Sequence, residues 1–531
     1  MSWVLVVLLA APLVSVVVCA VLPNRAAQGA TLVAGLLCFS LSIVLVGHPS
    51  STALSGWLMV DPLSTVFVVP TAFLYFTTAI FSVGYVHPAG DEVARARYLR
   101  RFWVGFNVFA WAMLMAPIVN GLPLLWVAVE ITTVVSALLV ALEHTPGATE
   151  AAWKYVLIAS MGLGIALVAT VVMYYAGSAV LGSGLELFYS RMLPAAGRFP
   201  PQITELAFVL AVLGFGTKMG LVPVHTWLPD AHSEAPTPIS ALLSGALLAI
   251  CFYAILRYYE ITERAVGAAF PREVLLAFGL ASLVLAALVV AVQRDVKRLL
   301  AYSSVEHMGV LCIGMSFAAP LAVVGVLLHV LAHAAAKGTA FFGSGSVVRK
   351  FGSKDVASLR AGIVFLPWSG PMLVLAVLAL SAMPPFGIFR SEFLIVAGGL
   401  RSPADAAAAV LVALVTLAAF GLTWYVGRTM MSPASLGTTS SEADGSPEPP
   451  PWPWGGLPAA ESEAVLATAV VTVPRAQGEQ ERPSPTRGEP SPWIVAAMIL
   501  GLAALVVLGI HPPAALGTLL HRAAAQLEVG R

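Results

Sequence analysis

The sequence predicts an all-α, polytopic membrane protein of about fourteen transmembrane helices. Three observations predict it. Of 531 residues, 59% are hydrophobic and only 10% are charged, where an ordinary soluble domain carries about 25% charge. The apolar residues fall in runs long enough to cross about 30 Å of hydrocarbon, separated by short loops that hold most of the charge. Two runs are interrupted by proline and glycine: KMGLVPVHTWLPDAHSEAPTP, which begins at Lys218, and LSAMPPFGIFRSEFLIVAGGL, where Pro384, Pro385 and Gly387 precede Glu392.

The spans follow in order. VLVVLLAAPLVSVVVCAVLP has no charged segment before it and a second apolar run follows at once, so residues 3–21 read as a retained first helix and not a cleaved signal. Apolar runs then cover 30–47, 61–86, 102–119, 121–142, 152–176, 204–222, 238–259, 271–292, 299–317 and 320–346. The long run 364–400 carries the second interruption, and 405–430 and 493–511 complete the set. Between Met431 and Trp493 the composition turns to Pro, Ser, Glu and Gly, which cannot bury enough apolar surface to fold; a mostly disordered cytoplasmic loop is expected over 432–492.

Charge placement sets the expected orientation. Arg95, Arg97, Arg100 and Arg101 share one loop, Arg294, Lys297 and Arg298 a second, and Arg349, Lys350, Lys354 and Arg360 a third. With fourteen spans all three fall on one side, which the positive-inside rule makes cytoplasmic, leaving both termini outside. Arg191, Arg198, Arg264 and Arg272 lie on the opposing side. The formal net charge is +1, with basic residues scattered among loops, which argues against a nucleic-acid partner. Cys19, Cys38, Cys251 and Cys312 stand singly in apolar stretches without CxxC spacing, so neither a metal nor another cofactor is expected in this chain.

The ionisable residues inside the apolar runs carry the chemistry. Only six of the 28 basic residues are lysine, and Lys218 is set in LAFVLAVLGFGTKMGLVP. A charge at bilayer depth costs about 2.5 to 3.5 kcal/mol on insertion scales and by default marks an ion or proton pathway. Unlike arginine, lysine can lose its proton when buried. Glu130, about nine residues into its own span, is the expected partner of Lys218; alternatively a protonated Glu130 bonds a neighbouring helix. His329, His333 and Lys337 recur at i, i+4 and i+8, which places them on one helical face and suits proton hand-over along the helix. Metal ligation by that stripe competes with this reading, but no carboxylate or thiolate is near in sequence; a simple inter-helix hydrogen-bonding role is the stronger alternative. Glu392 follows the second break as a terminal relay group or as a helix-start residue favoured by the dipole. Lys154, Glu143, His144 and Glu150 read as interfacial. His225, Asp230, His232 and Glu234 read as a brace for the first broken segment or as a cytoplasmic proton mouth. A pair of Pro/Gly-broken spans in corresponding halves marks a transporter built of inverted repeats.

FGTKMGLVPVHTWLPDAHSEAPTPIS resembles the antiporter-like membrane subunits shared by proton-pumping NADH-quinone oxidoreductase, Mrp-type cation/proton antiporters and the membrane-bound nickel–iron hydrogenases. DVKRLLAYSSVEHMG, HVLAHAAAKGTAFF and MPPFGIFRSEFL resemble the same family in the expected order, together covering about residues 60–430. WVAVEITTVVSALLVAL followed by TEAAWKY is most similar to the component F branch of hydrogenase-4, the formate hydrogenlyase type, with subunit M of NADH-quinone oxidoreductase a related branch.

The resemblance implies two inverted five-helix repeats, each with a broken helix. It divides the chain into N-terminal helices (1–100), a first repeat (101–260), a second repeat (261–431), the Pro-rich loop (432–492) and a C-terminal helix with its tail (493–531). It makes Glu130, Lys218, His329, His333, Lys337 and Glu392 a proton relay. Ala249 stands where quinone-linked relatives carry an eighth-helix lysine, so a continuous route there requires water or a histidine from elsewhere. The expected function is movement of protons or sodium ions as a subunit of a group 4 nickel–iron hydrogenase-like oxidoreductase complex in the prokaryotic inner membrane. Partners would be other membrane subunits and a peripheral redox arm, hydrogenase-like or NADH dehydrogenase-like. The rival readings are a subunit M-like component of NADH-quinone oxidoreductase, a stand-alone antiporter and a non-pumping structural anchor.

Overall fold

The computed structural model describes residues 2–182, 188–359, 361–431 and 486–527. Two apolar helices, α1 (Ser2–Val21) and α2 (Asn24–Gly47), precede a small antiparallel hairpin in which Ser51 pairs with Val60. Helices α3 (Pro62–Tyr85) and α4 (Glu92–Met115) begin at aspartate caps, Asp61 accepting from the Ser64 amide at 2.7 Å and Asp91 from the Ala94 amide at 2.7 Å. Helix α5 (Leu122–Val140) leads through a short turn to α6 (Pro146–Leu181), where Thr145 caps the Ala148 amide at 3.1 Å. The short α7 (Tyr189–Ala195) precedes α8 (Pro201–Met219), α9 (Trp227–Glu234), α10 (Thr237–Leu242) and α11 (Leu248–Val266).

Helices α12 (Ala269–Val290), α13 (Val296–Ser316), α14 (Pro320–Phe351), α15 (Gly362–Phe365), α16 (Ser369–Leu380), α17 (Gly387–Gly399) and α18 (Asp405–Met430) follow in order. The chain closes with α19 (Pro492–Ile510) and α20 (Ala514–Leu527). Eleven helices among the described residues are long and apolar enough to cross a membrane, and the protein is an all-α polytopic membrane protein. Helices α4 and α13 are as long as several of these, but their charged and polar residues keep them outside that set. The predicted single run over 364–400 is two helices, α16 and α17, with the Ser381–Phe386 break between them.

Residues 237–263 are buried throughout, and α14 nearly so, whereas α1, α18 and α19 leave most of their apolar surface outward, as a bilayer requires. Helices α6 and α8 approach through glycine: a Cβ on Gly214 would lie 2.5 Å from the Ala166 nitrogen, and one on Gly162 would lie 2.5 Å from the Thr217 Cβ. Association inside lipid depends on this kind of close packing, because lipid tails are as apolar as the side chains.

The predicted loop 432–492 lies outside the described residues as far as residue 485. Its last residues depart from the expectation of disorder. Glu489 accepts from the backbone amides of Trp368 at 2.8 Å and Ser369 at 2.9 Å and from the Ser369 hydroxyl at 2.7 Å, so it caps α16 across a long sequence gap. Residues 514–527, predicted as tail, form α20, whose buried Leu519, Leu520, Ala523 and Ala524 pack on α3 and α14.

Candidate functional site

The first break sits where α8 ends. Gly220, at φ +86°, turns the chain, and the residues to Thr226 pass through turns that belong to no helix. Its freed backbone groups find partners: the Trp227 indole donates to the Thr217 carbonyl at 2.7 Å, and the Val222 amide donates to the Ser282 hydroxyl at 3.0 Å. Lys218 lies on the last turn of α8, fully buried.

Lys218 and Glu130 are not an ion pair in this structure. The Lys218 amine donates to the Val129 carbonyl at 3.3 Å and to the Thr133 hydroxyl, and sits 5.5 Å from the centre of the Tyr155 ring. Glu130 is half-buried beside Val129, one turn from Thr133; one carboxylate oxygen accepts from Ser160 at 3.5 Å, and the other has no hydrogen-bond partner among the described residues. An α-helix carbonyl already engaged in its own ladder can accept a second bond, and with the Thr133 hydroxyl it offers the amine a place beside, and not upon, the carboxylate.

The second half holds its lysine in the same manner. Lys337 on α14 donates to the Leu300 carbonyl at 2.9 Å and to the Ser303 hydroxyl, both on α13, and Glu306 follows Ser303 by one turn. Glu306 is fully enclosed and one of its oxygens has no partner among the described residues. Each lysine therefore rests on a carbonyl and a hydroxyl of a neighbouring helix that also bears a glutamate.

The histidine stripe is real but not linear. His329 and His333 lie on one face of α14, with ring centres 6.2 Å apart, and His307 from α13 joins them at 5.1 and 5.2 Å. His329 Nε2 is 3.2 Å from His307 Nδ1, and His329 Nδ1 is 3.0 Å from the Ser391 hydroxyl. His307 Nδ1 in turn is 3.8 Å from Glu392. Glu392 sits beyond the first turn of α17, whose N-terminal flank is Phe386, so it does not cap that helix. The sequence argument against a metal, that no carboxylate lies near the histidines, is overturned: α17 brings Glu392 to them, and one donor atom each from His307, His329 and Glu392 lies within 4.8 Å of the others.

Glu306 and His307, in the VEHMG stretch of α13, join the site only through the packing of α13 on α14. The rule that picked out Lys218, an ionisable residue inside an apolar run, selects both. The cluster expected in the first break divides. Asp230 pairs with Lys154 at 3.2 Å and with Arg298, and Glu234 pairs with Lys354 at 3.0 Å, joining the basic loops at one end of the bundle. Lys154 also pairs with Glu150 at 2.7 Å. His232 instead points inward, with neither nitrogen hydrogen-bonded among the described residues, its ring 5.7 Å from that of Phe341.

Ala249 is buried just after a five-residue π turn, Leu243–Leu247, in which the Ser244 hydroxyl meets that of Ser304 at 2.7 Å. Such turns are frequent at functional sites.

A family model described as NADH:quinone oxidoreductase/Mrp antiporter, TM, matches residues 120–420. The hydrogenase-4 component F homolog of Methylacidiphilum infernorum is 36% identical over 363 residues, 68% of this chain and 76% of that protein. NADH-quinone oxidoreductase subunit N of Desulforudis audaxviator is 30% identical over 395 residues, 73% of this chain and 76% of that one. A chain of the archaeal membrane-bound sulfane sulfur reductase, a respiratory membrane complex, has the same fold, with a TM-score of 0.78 over 99% of this chain and 98% of its own at 20% identity.

Proposed function

Because the chain belongs to the NADH:quinone oxidoreductase/Mrp antiporter transmembrane family, we propose that this antiporter-like subunit translocates protons for a group 4 nickel–iron hydrogenase-like complex. The observation that carries the proposal is the matched pair of buried lysines, Lys218 on Val129 and Thr133 and Lys337 on Leu300 and Ser303, each one turn from a glutamate. Glu130, Lys218, His329, His333, Lys337 and Glu392 form the relay, with Glu306, His307 and His232 added to it. The repeats are residues 101–260 and 261–431, each contributing one break and one lysine.

Each lysine alternates between its carbonyl–hydroxyl rest and its glutamate. Moving one charge against 100 mV costs about 2.3 kcal/mol, the size of one buried hydrogen bond to a charged group, about 1.5 to 3 kcal/mol. Exchanging one such bond for another therefore matches one step of transport. Past Ala249, whose side chain cannot carry a proton, water carries it onward.

The likeness to the hydrogenase-4 component F homolog supports a hydrogenase-like partner, and that to NADH-quinone oxidoreductase subunit N supports the rival, an NADH-linked complex. Redox chemistry belongs to the peripheral partner subunits, and the chain lies in the inner membrane with its basic loops facing the cytoplasm. The test is purification of the complex through this chain, followed by reconstitution in liposomes. Co-purification of nickel–iron subunits with redox-driven internal acidification supports the proposal; co-purification of NADH-oxidising flavin subunits favours the rival; intact redox turnover with no proton or sodium movement rejects transport.

A further inference from the structure

We propose that His307, His329 and Glu392 form a binding site for a divalent transition-metal ion of the zinc class. Binding stands on geometry alone; the consequence drawn below, that the ion blocks transport, rests on the relay proposed above.

The donor spacing fits. Zinc bonds of about 2.0 to 2.2 Å in a tetrahedron place neighbouring donors roughly 3.3 to 3.6 Å apart. His329 Nε2 and His307 Nδ1 are 3.2 Å apart and His307 Nδ1 and Glu392 Oε1 are 3.8 Å apart, and all three donor atoms lie within 4.8 Å of one another, so an ion is seated by the Glu392 carboxylate closing on the imidazole pair. Three protein donors leave the fourth position to water.

The surroundings prepare His329 as a ligand. The Ser391 hydroxyl donates to the Ile388 carbonyl at 2.7 Å, so its oxygen is free to accept the Nδ1 proton of His329 at 3.0 Å. That places the lone pair on Nε2, facing His307 and Glu392. Metal-binding histidines are held in this way through their second nitrogen. The Glu392 oxygen nearest His307 has no hydrogen-bond partner among the described residues. A buried carboxylate oxygen left alone is costly, and a cation would satisfy it.

Access and selectivity follow from the same residues. The Glu392 side chain, 10% exposed, lines a cleft of about 380 Å³ between α17 and α18 with Ser381, Met383 and Phe393, so the site is not sealed. Two imidazoles and one carboxylate suit zinc, cobalt, nickel or copper, whereas sodium and magnesium prefer an all-oxygen shell. The ion transported and the ion bound here are therefore distinguishable.

The test uses the complex purified in detergent, stripped with chelator and titrated with Co2+. The expected result is one Co2+ per chain with the strong visible ligand-field bands of a four-coordinate nitrogen/oxygen site, displaced by Zn2+ and unaffected by excess Na+ or Mg2+. His329→Gln and Glu392→Gln each abolish the bands, while His511→Gln and His521→Gln, at exposed positions, leave them. Should the buried variants fail to fold, Ser391→Ala serves: it weakens binding about 10- to 100-fold by freeing His329. A wild-type spectrum of hydrated Co2+ alone, or bands and affinity unchanged in these variants, overturns the site. Zn2+ added to wild-type liposomes lowers proton uptake in step with occupancy. Full occupancy with undiminished uptake leaves the site standing and overturns its place in the relay.

Discussion

Arg257→Met tests the ion network that closes one end of the bundle. Arg257 on α11 is 3% exposed and pairs with Asp61 at 2.8 Å and with Glu260 at 2.9 Å. It also donates to the Ser64 and Tyr253 hydroxyls, both at 2.8 Å, and lies over the Tyr189 ring at 4.5 Å. Gln526 from α20 donates to Asp61 at 2.8 Å and to Glu260 at 2.9 Å, bridging the two carboxylates. Without the guanidinium, two carboxylates, one 17% and one 1% exposed, face each other through one amide. Removing one partner of a buried ion pair costs about 3 to 5 kcal/mol, and partial solvation of Asp61 puts this case near the lower end, about 3 kcal/mol. Denaturant unfolding in mild detergent, followed by tryptophan fluorescence, measures the loss. Adding Asp61→Asn and Glu260→Gln to Arg257→Met restores most of it, because no unpaired charge then remains. A single variant within about 0.5 kcal/mol of wild type, or a triple variant no better than the single one, refutes the reasoning.

Asp61 adds a pH dependence. Burial raises its carboxyl, but the Arg257 charge and the bonds from Ser64 and Gln526 outweigh burial and hold it below the ordinary range. Its folded value thus lies below the unfolded value of about 3.9, so its contribution is complete above that pH and is lost as pH falls through the folded value; unfolding curves taken on either side of about pH 4 show a drop that Asp61→Asn diminishes. Gly214→Val forces α6 from α8, since even a Cβ would lie 2.5 Å from the Ala166 nitrogen, and the expected loss of at least about 1 to 3 kcal/mol is read from the same unfolding curves. Glu489→Ala removes the cap of α16 and costs about 1 kcal/mol, with faster proteolysis near residue 488 as the second readout.

The helical, membrane-spanning character was legible because bilayer crossing demands long apolar runs, and the breaks were legible because proline cannot continue the helix ladder. Lys218, Lys337 and Glu392 were legible for the cost of placing them in such runs. Contacts between distant segments were not. Glu306 and His307 acquire meaning only when α13 lies against α14, and Glu392 joins the histidines only because α17 folds back to them, which is also why the metal alternative looked unsupported. Arg257 and Glu260 sit in YAILRYYEITERAV, where a helix end near a loop gives no hint that Asp61 and Gln526 converge on them. Residues 514–527 read as tail because their amphipathic face has no partner until α3 and α14 supply one. Charge alone pairs Lys218 with Glu130; a carbonyl and a hydroxyl on the same helix hold the amine instead, which no charge pattern signals.

Proton uptake by liposomes holding the complex with Lys218→Ala or Lys218→Arg is the most direct test of the relay. Both variants are expected to assemble and to lose uptake, the arginine variant because it keeps the charge but does not release its proton at physiological pH. Undiminished uptake in Lys218→Ala would contradict the relay outright.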